Sequence, residues 1–154
     1  MKVAPTGIEP TLSSFKKNIG VLLFYGDSIL LSKRINFFDG KPVPYGGYWA
    51  PFAGAVEAGE LPIMAAVREL WEEAGKKIEP YFLTYITEIY RENAVFILYA
   101  YELEGFFSPT LNCEHTEYGY FQINTLQRSP SPICLEVVRA VQDFDKERRW
   151  ARTD

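Results

Sequence analysis

The chain has 154 residues, 47% of them hydrophobic and 23% charged. That is long enough for one domain with a real core and too apolar for intrinsic disorder. A net charge of −4 and a pI near 5.1 argue against broad, charge-driven binding to duplex nucleic acid or anionic membrane, yet leave room for a polyphosphate met through a bound cation.

Residues 1–15, MKVAPTGIEPTLSSF, carry Pro5 and Pro10 with little periodicity. They read as a loose lead-in to a single domain over 16–150. They lack the apolar stretch of a secretory signal, and no apolar run approaches the ~20 residues of a membrane span, so a cytoplasmic protein is expected. Asn18 to Tyr25, centred on Val21 to Phe24, reads as a first strand, Gly26-Asp27 as a hairpin turn and Ser28 to Arg34 as the partner strand. Residues 37–48, FFDGKPVPYGGY, form a Gly/Pro-rich loop of the length that functional loops take. Trp49 to Val56 leads into an acidic segment. There Pro62 suits the first turn of a helix running from about 61 to Gly75. Tyr81 to Tyr90 and Ala94 to Leu103 read as strands joined at Arg91-Glu92-Asn93. The second is almost continuously apolar, as a strand covered on both faces would be. After a loop over 104–117 come a short strand, Tyr118 to Ile123, and a helix starting at Ser131-Pro132. This helix turns Cys134, Val137, Val138, Val141 and Phe144 inward and frays over the basic stretch Lys146 to Arg152. The whole predicts an α/β fold, a mixed α+β sheet with helices on both faces.

The chemistry concentrates in residues 54–75, GAVEAGELPIMAAVRELWEEAG. Glu69, Glu72 and Glu73 stand three and four apart, which on a helix crowds three carboxylates together. At about 100° per residue, Ile63, Val67, Leu70, Trp71 and Ala74 are expected to face the core, with the acids turned to a cleft. Crowded carboxylates destabilise a helix and raise one another's pKa until a cation answers them. The all-oxygen donor set calls for a hard ion, magnesium or manganese, which keeps water ligands and makes them more acidic.

These residues resemble the Nudix box, G-x5-E-x7-R-E-U-x-E-E-x-G-U with U apolar, through Gly54, Glu60, Arg68, Glu69, Leu70, Glu72, Glu73 and Gly75. Seven fixed positions agree. At about one in fifteen per position, chance agreement is on the order of one in 10⁸ per start, so a merely solvated acidic face is a poor account. The final apolar site holds Lys76, with Ile78 nearby as a substitute. The resemblance implies a Nudix-like αβα sandwich and metal-dependent hydrolysis of a pyrophosphate bond in a nucleoside diphosphate linked to another group. It implies Mg²⁺ or Mn²⁺ as cofactor, with Glu69, Glu72 and Glu73 as metal-site acids. Glu69 is also a candidate base, and a backbone carbonyl of Ala53 or Gly54 a further ligand. Arg68 and Glu60 are expected to give structural support. A carboxylate outside the box is implied too, and either Glu114 or Glu117 could supply it as base or ligand, an exposed loop acid being an equal reading of both.

Arg34 is a candidate for a substrate phosphate or for surface pairing. Tyr45, Tyr48, Trp49 and Phe52 are candidates for stacking a nucleobase, though each fits a core role as well. The lone His115 cannot build a His-rich zinc site and reads as a loop or packing residue. Cys113 and Cys134 have no metal-ligand spacing. Free thiols are the favoured reading, and a disulfide is compatible with the sequence. Expected substrates span nucleoside triphosphates, dinucleoside polyphosphates, ADP-ribose and nucleotide sugars. A homodimer would suit the 16% aromatic content. A non-catalytic nucleotide-sensing module and a plain interaction domain are the rival readings.

Overall fold

Period-two alternation runs through Lys16–Tyr25 (β1), and both of its faces are covered. Ile19, Val21 and Leu23 enter one core cluster, and Leu22 and Phe24 enter another. In the computed structural model, which describes residues 15–128 and 133–153, these two clusters are the two sides of one sheet. The expected lead-in falls almost wholly outside the described residues, as does the expected helix start at Ser131-Pro132.

β1 is the hub of the sheet. Ser28–Arg34 (β2) returns antiparallel to it through the Gly26-Asp27 turn. Residues Phe37–Phe38 (β3) and Lys41–Pro42 (β4) make a small separate hairpin inside the segment read as loop. Trp49–Ala50 (β5) then pairs with β2, and Phe52–Ala55 (β6) with β1. Thr84–Arg91 (β7) and Ala94–Glu102 (β8) are antiparallel neighbours, and β8 lies parallel to β1 along nearly its whole length. As its composition demands, β8 sits between two strands and is covered on both faces. His115–Gln122 (β9) pairs with β2.

Two boundaries differ from the sequence reading. β7 starts at Thr84 because Pro80–Phe82 coil into a 3-10 turn that leaves Tyr81 exposed. β9 starts earlier, at His115, where its register against β2 skips a residue between Lys33 and Arg34.

Pro62–Ala74 (α1) covers one face of the sheet and Leu135–Thr153 (α2) the other, completing an αβα sandwich. α1 stops at Gly75, whose φ of 74° is the left-handed cap that glycine takes without strain. Its last carbonyl, Ala74, accepts the Thr110 N–H at 2.8 Å. Lys76 fills the position where an apolar residue was expected by laying its ammonium 5.4 Å from the Tyr101 ring centroid and 5.1 Å from that of Phe107. Ile78 joins the core beside it.

Two expectations are corrected here. Trp71 is exposed rather than inward, while Glu69 and Glu73 are buried. The helix wheel explains this: Trp71 and Glu69 stand about 100° to either side of Leu70, and Glu73 only about 60°, so the sheet and β6 cover the acidic flank instead of the indole. Second, the basic C-terminal stretch is ordered helix, anchored by Arg148, which donates to Glu102 at 2.8 Å, to Asp145 at 2.8 Å and to the Gly26 carbonyl. Both cysteines are free, which is the reading favoured from the sequence.

Candidate active site

Four pieces of backbone converge on the acidic flank of α1: β6, the end of β2, the start of β9 and the turn before α1. Glu73 is almost fully buried. One of its oxygens, Oε1, accepts the Ala53 N–H at 3.0 Å and lies 3.1 Å from His115 Nε2. The other ring nitrogen, Nδ1, is 2.8 Å from Ser32 Oγ. Glu69 lies against Gly54. A Cβ at Gly54 would stand 1.8 Å from Glu69 Oε2, so only glycine leaves room for this carboxylate.

Arg68 holds the outer side of the group. Its Nε and Nη2 grip Glu60 as a fork at 2.9 and 3.0 Å. Its Nη1 reaches Glu69 at 2.8 Å and Glu72 at 3.2 Å, and Nη2 also donates to the Ala55 carbonyl at 2.9 Å. Such a planar, multiply bonded arrangement is one lysine cannot copy. Glu60 is held in turn by the Glu57 N–H at 3.0 Å. Glu72 remains half exposed.

Burial raises the Glu69 carboxyl well above the ordinary range. Its hydrogen bond to Glu73 and that neighbour's charge add to this, against the pull of Arg68. Burial raises Glu73 as well, opposed by the hydrogen bonds from Glu69 and from the Ala53 amide. The pair thus keeps a proton that a cation would displace. His115 moves the other way: burial, helped by the charge of Arg34, lowers it to about 4, so its ring is neutral at physiological pH.

Beside the acids lies a cavity of about 330 Å³, lined by Arg34, Tyr45, Tyr48, Trp49, Phe96 and Arg91 among others, with Ala53, Gly54 and Glu114 on its border with the acids. Arg34 is oriented by its Nε, which donates to the Pro44 carbonyl at 3.3 Å. Tyr45 adopts a positive φ of 58°, uncommon for a bulky residue. Its phenol reaches Arg91 on β7, so the 44–48 turn walls the cavity from one side.

Of the predicted residues, Glu69, Glu73, Gly54, Ala53, Arg68, Glu60 and Glu72 come together. Glu114 joins them, since ligand atoms of Glu73, Glu114 and His115 all lie within 4.8 Å of one another. Glu117 does not join. It is exposed and pairs with Lys33 at 3.8 Å. Thr116 is the extra residue in the irregular β9 register, which puts His115 and Tyr118 on the α1 face and leaves Glu117 on the other. Phe52 is corrected as well: it has no exposed surface and packs edge-on under His115 at 5.5 Å, out of reach of a base. Tyr48 and Trp49 do line the cavity, Trp49 by a small exposed edge. Sequence reading missed Ser32, His115 and Arg91. Only His115 gave any signal, by standing next to Glu114.

The residues fit a hard divalent ion. The donors of the box are all oxygen, two buried carboxyls are short of positive charge, and Gly54 lacks the atom that would block the place Glu69 takes.

A family model described as NUDIX domain matches residues 14–139. Among solved structures, the MutT protein from Methanosarcina mazei Go1 is similar at TM-score 0.68 and 18% identity, over 87% of this chain and 95% of that one. A NUDIX hydrolase from Nitrosomonas europaea is similar at TM-score 0.66 and 22% identity, over 96% and 79%. A C. elegans Ap4A hydrolase in a binary complex is similar at TM-score 0.59 and 18% identity, over 84% and 96%. No curated protein sequence matches.

Proposed function

The chain belongs to the NUDIX domain family, and on that premise we propose that it is a pyrophosphohydrolase acting, with magnesium or manganese, on a nucleoside diphosphate linked to another group. The single observation that carries the reading is the pair of buried carboxyls, Glu69 set against Gly54 and Glu73 against the Ala53 amide, at the border of an aromatic cavity. Glu69, Glu72 and Glu73 would hold the ion. Of the two candidate carbonyls, Ala53 is the better placed. Val56 N–H bonds back to Lys17 on β1, and strand alternation turns Gly54 the same way. Ala53 and Ala55 face α1 instead, where their N–H and C=O meet Glu73 and Arg68. A bound divalent ion supplies Lewis acidity toward the phosphoryl oxygens and a more acidic water.

The chain's own groups do the rest. Arg68 and Glu60 fix the rotamers of the acids. Arg34, on the cavity wall beside Glu114, is placed to meet a phosphate and balance charge as the bond breaks. Glu114, a carboxylate from outside the box within 4.8 Å of Glu73, is assigned as base, with Glu69 as the alternative. Tyr48 and Trp49 offer apolar surface for a base. No described helix is long and apolar enough to cross a membrane.

The test is a panel of nucleoside triphosphates, dinucleoside polyphosphates, ADP-ribose and nucleotide sugars with each metal, reading released phosphate and mononucleotide. One substrate class is expected to turn over, and Glu69→Gln and Glu73→Gln to lose turnover while remaining folded. Near-wild-type rates in both variants would remove the site assignment.

A further inference from the structure

We propose that Ser32 and His115 are positioning residues, a buried hydrogen-bond chain that fixes Glu73 and reserves one of its oxygens for the metal. The inference rests on the metal-site reading above and deepens it.

The chain joins three elements: Ser32 on β2, His115 on β9 and Glu73 on α1. Ser32 is fully buried, and His115 and Glu73 nearly so. The links are 2.8 Å from Ser32 Oγ to His115 Nδ1 and 3.1 Å from His115 Nε2 to Glu73 Oε1. A neutral imidazole has one N–H. With that proton on Nε2, His115 donates to the carboxylate and its Nδ1 accepts the Ser32 hydroxyl, so every group is satisfied. The other tautomer would turn two lone pairs toward each other across 3.1 Å. The Glu73 carboxylate therefore selects the tautomer, Ser32 holds it by donating to Nδ1, and Phe52 holds the ring plane by edge-on packing at 5.5 Å.

Glu73 Oε1 thus has two donors, His115 Nε2 and the Ala53 amide. Oε2 takes neither, and once a cation replaces the proton that Glu69 shares with Glu73 it is the oxygen that remains, so Glu73 would bind through one oxygen in a fixed orientation. The irregular register of β9 brings His115 onto this face, and nothing in the box requires a histidine there. Hydrogen-bond partners behind a metal-binding side chain are worth roughly 10–100-fold in metal affinity.

The experiment measures Mn²⁺ affinity of the full chain from the free-ion electron paramagnetic resonance signal, with thermal melts confirming that each variant is folded. His115→Phe keeps the ring and removes the donor, and is expected to weaken Mn²⁺ about 10–100-fold. His115→Gln keeps a donor near Nε2 and is expected to recover most of the loss. Ser32→Ala is expected to weaken binding, and Ser32→Thr, which retains the hydroxyl, to bind more tightly than Ser32→Ala. Glu73→Gln is expected to lose the site. If Glu73→Gln loses Mn²⁺ while folded His115→Phe and Ser32→Ala bind as wild type does, the positioning role is overturned and the metal site stands. If Glu73→Gln also binds as wild type, the metal site itself is overturned. Should His115→Phe not fold, Ser32→Ala decides: unchanged affinity in it overturns the proposal.

Discussion

Adding a single methyl group at Gly54 should uncouple catalysis from stability. In Gly54→Ala the new Cβ would lie 1.8 Å from Glu69 Oε2 and 2.2 Å from its Cδ. No real carbon approaches so closely, so the carboxylate must retreat by more than an ångström. The atoms that must move are the far end of a flexible side chain, and the backbone at Gly54 has a φ that alanine shares. The fold therefore yields cheaply, at the low end of the 1–3 kcal/mol typical of overpacking, about 1 kcal/mol. The site does not. A misplacement of about 1 Å costs on the order of 100-fold in rate, about 2.7 kcal/mol in the barrier. The assay is kcat on the substrate found in the panel at saturating metal, with melts in parallel. Gly105→Ala, where a Cβ meets nothing within 4 Å, is the control. A Gly54→Ala enzyme within about threefold of wild-type kcat would refute the reasoning, because Glu69 would then not need the place it occupies.

Two further outcomes follow from charge. Glu69 and Glu73 have folded-state pKa values raised above those of the unfolded chain. The folded form therefore binds more protons, and stability must fall as pH rises from about 4.5 through the raised values. For Glu73, raised to about 7, the loss is roughly 3 kcal/mol. Melts in chelator should show it, saturating magnesium should offset it, and the magnesium-induced rise in Tm should be larger near pH 8 than near pH 5; a pH-independent rise would contradict the assignment. At the far end of the chain, Arg148→Ala leaves the buried Asp145 without one of its guanidinium partners and removes the cation over the Phe24 ring at 4.6 Å. It should cost about 3 kcal/mol and lower Tm by roughly 10 °C. A shift within a degree or two would mean the end of α2 is not tied down.

The box was legible because chemistry dictates residue type at each position, and its acids and Arg68 do come together, though with Glu69 and Glu73 buried rather than turned out. Strand β8 was legible because burial on both faces leaves a continuous apolar run. Trp71 and Glu69 were not separable by the wheel, since both flank Leu70 at equal angles and only the neighbouring strand decides which is covered. Glu114 and Glu117 differ because of one extra residue, Thr116, whose effect on alternation depends on β2, distant in sequence. The Ser32–His115 contact spans 83 positions, and no local pattern announces it. The Arg148 network was hidden in the same way, as a basic run reads as solvated until a turn at Gly26 is seen beneath it.

The central pair of strands has a consequence for how the molecule comes to exist. β1 and β8 are parallel, with Lys16 opposite Ala94, so the middle of the sheet closes only after the intervening segment, α1 and all its acids included, has been made. Such long-range pairing slows folding, because the entropy of the intervening chain is lost before the contact forms. Without the closed sheet as cover the glutamates of α1 would be hydrated and ordinary. Their raised pKa values come first from burial, so they exist only where the sheet covers α1, and the site is a product of the closed fold.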